Sequence, residues 1–187
     1  MQRWTARAGG SVAAGAWAVG LPLIGLTGVI PSDAPYFVAG LMGAILGCST
    51  AVFALALPAL DNRRRDRILR LAGAAAGVAL AATSVLLALG AAGALGQTAP
   101  AWIPNAATIP LVALLGWVVV TSAIARRELG NVAFWLGVGV GISVTAAIAT
   151  SALIPIATNA TVPLTFAITV TLWVALPAWL LTVAWRR

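Results

Sequence analysis

Eleven arginines, with no lysine among them, punctuate this chain in four groups separated by long apolar stretches. Arg3 and Arg7 precede the first stretch, and Arg63, Arg64, Arg65, Arg67 and Arg70 lie between the second and third. Arg126 and Arg127 lie between the fourth and fifth, and Arg186 and Arg187 follow the last. The stretches run over 10–30, 37–59, 71–95, 108–125, 132–156 and 163–185. Each is close to the 20 or so residues that carry a helix across roughly 30 Å of hydrocarbon. Six spans put every basic residue on one side of a membrane, the positive-inside pattern without exception. An odd count would scatter them over both faces. The expected fold class is an all-α membrane protein: one transmembrane domain over 1–187, a six-helix bundle with N-terminus and C-terminus cytoplasmic.

Composition agrees. The chain is 61% hydrophobic and 8% charged, where a soluble domain carries about 25% charged residues. Arg3 and Arg7 before an apolar run resemble a signal peptide, but the run exceeds an h-region and is expected to stay as an uncleaved span. Arginine without lysine, in an Ala-, Gly- and Val-rich chain, points to a bacterial cytoplasmic (inner) membrane. There the sequon Asn159-Ala-Thr161 would carry no glycan. Pro31 and Pro35 stop the first hairpin, and Pro110 and Pro163 sit near helix starts, where a missing N–H costs nothing. Pro22 and Pro177 fall inside the first and sixth spans and should free the carbonyls of Ala18 and Trp173.

The missing residue types exclude whole chemistries. Without lysine there is no Schiff base, and without histidine no imidazole base and no histidine ligand for haem or metal. The lone Cys48 cannot form an internal disulfide. Asp33, Asp61, Asp66 and Glu128, the four acids, all map to loops or helix ends. No span therefore holds the buried ionisable group that a proton relay requires. A catalytic site, a cofactor and a metal centre are not expected, nor is nucleic acid a partner. Asp61 and Asp66, outnumbered by five arginines, are expected to form local salt bridges. Those arginines, Arg63, Arg64, Arg65, Arg67 and Arg70, are candidates for contact with lipid head groups, and topology alone also accounts for them.

Helices in lipid associate by close packing and hydrogen bonding. Gly43 and Gly47, Gly73 and Gly77, and Gly137 and Gly141 pair on single helical faces, as Ala14 and Ala18 do less strongly. They are expected to pack within one chain, with dimer seams as the alternative. The hydroxyls of Ser143, Thr150, Ser151, Thr165 and Thr169 could bond their own helices. Alternatively, an uncharged outer loop over 97–107, held by Pro100 and Pro104, could place Trp102 and Asn105 over an outer-half cavity with Thr150, Ser151, Thr165 and Thr169. A small neutral ligand would bind there. Trp4, Trp102, Trp135, Trp179 and Trp185 fall at interface depth, and Trp17, Trp117 and Trp173 lie deeper, where packing against glycine faces is their expected use. At an offset of 97 residues, Phe37, Gly40, Ile45 and Pro58 echo Phe134, Gly137, Ile142 and Pro155, which chance or an inverted repeat could explain.

The reading favoured on these grounds is a non-catalytic membrane subunit or scaffold that binds lipids, other membrane proteins or further copies of itself. The alternative is a carrier, pore or substrate-binding component for a small neutral or apolar solute. In that class the layout resembles the substrate-binding S-components of energy-coupling-factor vitamin transporters, which have six helices in a chain of similar length. Their first helix carries an Ala-xxx-Ala docking face, matched here by Ala14 and Ala18. The resemblance implies a coupling subunit as partner, although these spans are poorer in polar and aromatic groups than a vitamin site. An enzyme acting on lipid is the remote third class, since no nucleophile has a base beside it.

Overall fold

The computed structural model describes residues 2–26, 34–57, 62–93, 102–153 and 158–186, and every element among them is helical. The helices are α1 (Gln2–Leu26), α2 (Ala34–Leu55), α3 (Arg63–Ala91), α4 (Trp102–Ile124), α5 (Arg126–Leu153) and α6 (Thr158–Ala184). Among the described residues α2, α3, α5 and α6 are long and apolar enough to cross a membrane. Each helix packs against its neighbours in sequence, and α6 returns to α1, so the six close into a ring.

The α2–α3 contact shows why this composition packs. A Cβ on Gly47 would fall 2.5 Å from the Gly77 carbonyl oxygen and 2.5 Å from the Ala81 nitrogen, so the two backbones meet where no side chain intervenes. Gly43 sits against Ser84 on the same seam. Gly73 receives the Trp117 ring from α4, while Gly137 and Gly141 of α5 receive Ser122 and Val119 of α4. Ala14 is buried in the shared core. All these contacts lie within one chain.

Indole N–H groups fasten the ring. Trp17 Nε1 donates to the Leu172 carbonyl at 3.0 Å and Trp173 Nε1 donates to the Ala18 carbonyl at 2.8 Å, a reciprocal clasp between α1 and α6. Ala18 is the residue whose carbonyl loses its intrahelical donor to Pro22. Trp117 Nε1 donates to the Leu69 carbonyl at 2.8 Å, joining α4 to α3. At the centre Trp179 is 0% exposed and donates to Ser122 Oγ at 2.7 Å. Its ring meets Phe53 and Trp117 edge-on, with centroids 6.1 and 5.7 Å away. Trp179 is thus a core residue, against the interface position expected of it. Depth along a helix says nothing about which way the side chain faces.

Several boundaries differ from expectation: α3, α5 and α6 begin at Arg63, Arg126 and Thr158 instead of 71, 132 and 163, so the arginines of 63–70 and 126–127 are helical and Asn159 lies in α6 rather than in a loop. The chain is helical from Trp102, so the loop expected through residue 107 ends earlier. Pro104 falls in the first turn of α4, where backbone N–H groups have no intrahelical partner to lose. Pro110 lies well inside α4 instead of near its start. Helix α1 includes Arg3 and Arg7, which were expected to precede it.

Candidate functional site

Of the outer-half residues, Trp102 and Asn105 belong to the first turn of α4 rather than to a lid. Their side chains, with those of Ser151 and Thr165, lie outside the described residues. Thr150 is buried and its hydroxyl donates to the Ala146 carbonyl of its own helix at 2.7 Å. Thr169 is exposed. The structure does not bring these six into a described cavity.

A described groove lies at the other end of the bundle. It opens with a volume of ≈ 430 Å³ between the start of α3 and the α4–α5 turn, lined by Asn62, Arg65, Ala123, Ile124, Arg126, Arg127 and Glu128. One wall is the start of α3, and the other is the end of α4 with the turn that follows it. Asn62 caps α3, its Oδ1 accepting from the Arg64 and Arg65 backbone N–H groups at 3.1 Å each. On the facing wall α5 opens with one turn, 126–129, tied back by the Leu129 N–H to the Ala125 carbonyl at 2.7 Å. It then bends at Gly130, where φ is +82° and a side chain would be strained. The Arg186 guanidinium packs on that glycine, so a Cβ there would meet its Nη1 at 2.8 Å.

The guanidiniums differ in how firmly they are held. Arg126 lies over the Phe134 ring at 4.4 Å and its Nε donates to Asn131 Oδ1 at 3.3 Å, which orients its plane. Arg65 and Arg127 are exposed and form no ion pair among the described residues. Glu128, the acid of the groove, is half-buried, and its Oε2 is buried without a hydrogen-bond partner. Arg63, Arg64 and Arg67 are exposed on α3. Arg70 is not available in the same way. It pairs with Asp66 at 2.9 Å and donates to the Leu55 carbonyl at 2.8 Å, tying α3 to the end of α2. Asp61 lies outside the described residues.

Behind this pair a water-sized cavity of ≈ 10 Å³ touches Asp66, Arg70 and Thr121. Thr121 is 1% exposed, and its hydroxyl has no hydrogen-bond partner among the described residues. Of the groove residues, only Arg65 was read from the sequence as a contact. Arg126 and Arg127 served there as topology markers, and Glu128 as a loop charge. The available signal was that both Arg-bearing turns also begin helices. No family model, curated protein or solved structure matches the chain.

Proposed function

We propose that this chain is a non-catalytic, multi-pass protein of a bacterial inner membrane, a subunit or scaffold that binds lipids and other membrane proteins. Six spans with both ends cytoplasmic complete the reading. The observation that carries it is the content of the described interior. It is filled by Trp179, Phe53, Leu114, Leu176, Leu180, Val118 and Val140. The buried polar residues described there all carry hydroxyls: Ser49, Thr50, Ser84, Thr121, Ser122, Ser143 and Thr150. Such a core can hold a shape, and nothing in it activates a nucleophile or moves a proton.

The outward faces are apolar instead. Val132, Trp135, Ile142, Val78 and Ile109 are all exposed, as suits contact with lipid tails or a partner helix. Purification in a mild detergent followed by mass spectrometry of the intact assembly tests the reading. Retained lipid or a membrane-protein partner is the expected result. Co-purification of an ATPase or coupling subunit would replace the scaffold by the transport reading.

A further inference from the structure

We propose that the groove between the α3 start and the α4–α5 turn seats the phosphoethanolamine head of a membrane lipid. Its phosphate lies against Arg65, Arg126 and Arg127, and its ammonium against the Glu128 carboxylate. The inference rests on the lipid-binding half of the reading above and names the lipid. The volume, ≈ 430 Å³, is within the roughly 300–1,000 Å³ of small-molecule sites.

Three guanidiniums from two separate elements line the same space, and guanidinium forks match phosphate oxygens. Arg126 is already oriented by Phe134 and Asn131, so it loses little freedom on binding. Asn62 has its Oδ1 committed to the cap, which leaves the Nδ2 amide as the donor available to an anion. The start of α3 adds the favourable end of its dipole.

Glu128 decides between head groups. Its half-buried carboxylate lines the groove and forms no ion pair among the described residues, although guanidiniums line the same space. A bare phosphate would meet it as a like charge and leave it without a donor. A choline head brings a phosphate but no N–H. A primary ammonium one ethylene away from the phosphate satisfies both ends of the site. Ala123 and Ile124 continue the lining from polar to apolar along α4, the course an acyl chain takes from its head group into hydrocarbon.

The test uses the full chain in nanodiscs and measures binding of phosphatidylethanolamine, phosphatidylcholine and phosphatidylglycerol with identical acyl chains. Soluble phosphoethanolamine and inorganic phosphate serve as competitors. The ethanolamine lipid should bind about tenfold better than the choline lipid, the worth of one charge-assisted hydrogen bond. Glu128→Gln, nearly isosteric, should bring that ratio to about one. Arg126→Gln with Arg127→Gln should weaken both lipids about 25-fold, at about fivefold per guanidinium. Arg3→Gln, a loss of one such charge outside the groove lining, should change neither.

Equal binding of the two zwitterionic lipids by the wild type overturns the proposal, as does an ethanolamine preference that survives Glu128→Gln. Preference for the glycerol lipid overturns it in favour of plain anion attraction. Competition by soluble phosphoethanolamine at the lipid's own potency overturns the lipid as the source. In each of these cases the protein still holds lipid and the scaffold reading stands. A protein that retains neither lipid nor partner overturns the scaffold reading itself.

Discussion

An indole N–H that packs among apolar helices has no water to bond and is best served by an acceptor on a neighbouring helix. Trp17, Trp117 and Trp173 find backbone carbonyls, and Trp179 finds the Ser122 hydroxyl. The last can be separated into its two contributions. Trp179→Phe keeps most of the ring contact with Phe53 and Trp117 but removes the donor, which should cost about 0.6–2 kcal/mol in a membrane protein. Trp179→Ala also opens a cavity and should cost about 3–5 kcal/mol. Thermal unfolding in detergent orders the two variants, and equal midpoints would show that Trp179 is not packed as described. The Trp117–Gly73 contact was foreseeable, because a deep tryptophan and a glycine face are both visible in the sequence. The burial of Trp179 was not. Its place near the end of a span gives its depth, and the direction it faces depends on how α6 packs against α1 and α5.

At the scale of the element, spacing was informative wherever a small residue faced a backbone. Replacing Gly47 by Leu must separate α2 from α3, since even a Cβ would lie 2.5 Å from the Gly77 carbonyl oxygen. The expected outcome is a destabilisation above about 2 kcal/mol, the range of overpacked cores and more, with unchanged oligomeric state. A variant that melts like the wild type but changes oligomer size would place that face at a dimer seam instead. Gly130→Ala tests the bend in α5. At φ +82° an alanine is strained by about 1 kcal/mol or more, and its methyl would displace Arg186. A lowered melting midpoint should follow, and an unchanged one would mean that the bend relaxes freely.

The echo between α2 and α5 does not carry over to the packing of its glycines. Gly40 packs forward on α3 through Ser84 and Ala88, whereas its counterpart Gly137 packs backward on α4 through Ser122. Ile45 and Ile142 are both exposed, and Pro58 and Pro155 lie outside the described residues. The start of α4 was hidden in the sequence. Prolines advertise a break, yet Pro104 within a first turn removes only an N–H that had no partner.

For the whole molecule, the position of the arginines is the strongest constraint, and side-chain contacts link its separate groups. The Arg7 guanidinium lies 5.0 Å from the Trp185 ring centroid, and Trp185 Nε1 donates to Ser11 Oγ at 3.2 Å, so the first turns of α1 adjoin the last turn of α6. Arg186 packs on Gly130 at the start of α5, and Arg65 shares a groove with Arg126 and Arg127. All four groups gather toward one end of the ring. That gathering was legible from charge alone. The groove was not, because the same-side rule does not say which turns are neighbours, and only the packing of α3 on α4 brings 62–65 beside 126–128.

Whether that end faces the cytoplasm is a matter of crossing number. Helix α4 has 23 residues, about 34 Å at 1.5 Å per residue, enough for roughly 30 Å of hydrocarbon once its first turns are counted. The 9–26 part of α1 gives about 27 Å, enough with slight local thinning of the bilayer. If both cross, the N-terminal ends of α2 and α6 emerge opposite the arginines. Single cysteines at Asp33 and Asn159, in a Cys48→Ser background, should react with a membrane-impermeant maleimide added to intact cells. A cysteine at Arg64 should react only after the cells are opened. Should α4 fail to cross, only two crossings separate Arg64 from Asn159, and residue 159 moves to the Arg64 side. Should α1 fail to cross, residue 33 stays opposite Arg64 but shares its side with Arg3, so a cysteine at Arg3 would react in intact cells. Labelling of residue 159 only after lysis, or of residue 3 before it, would therefore reject the six-span arrangement, and each result names the helix that stays out of the membrane.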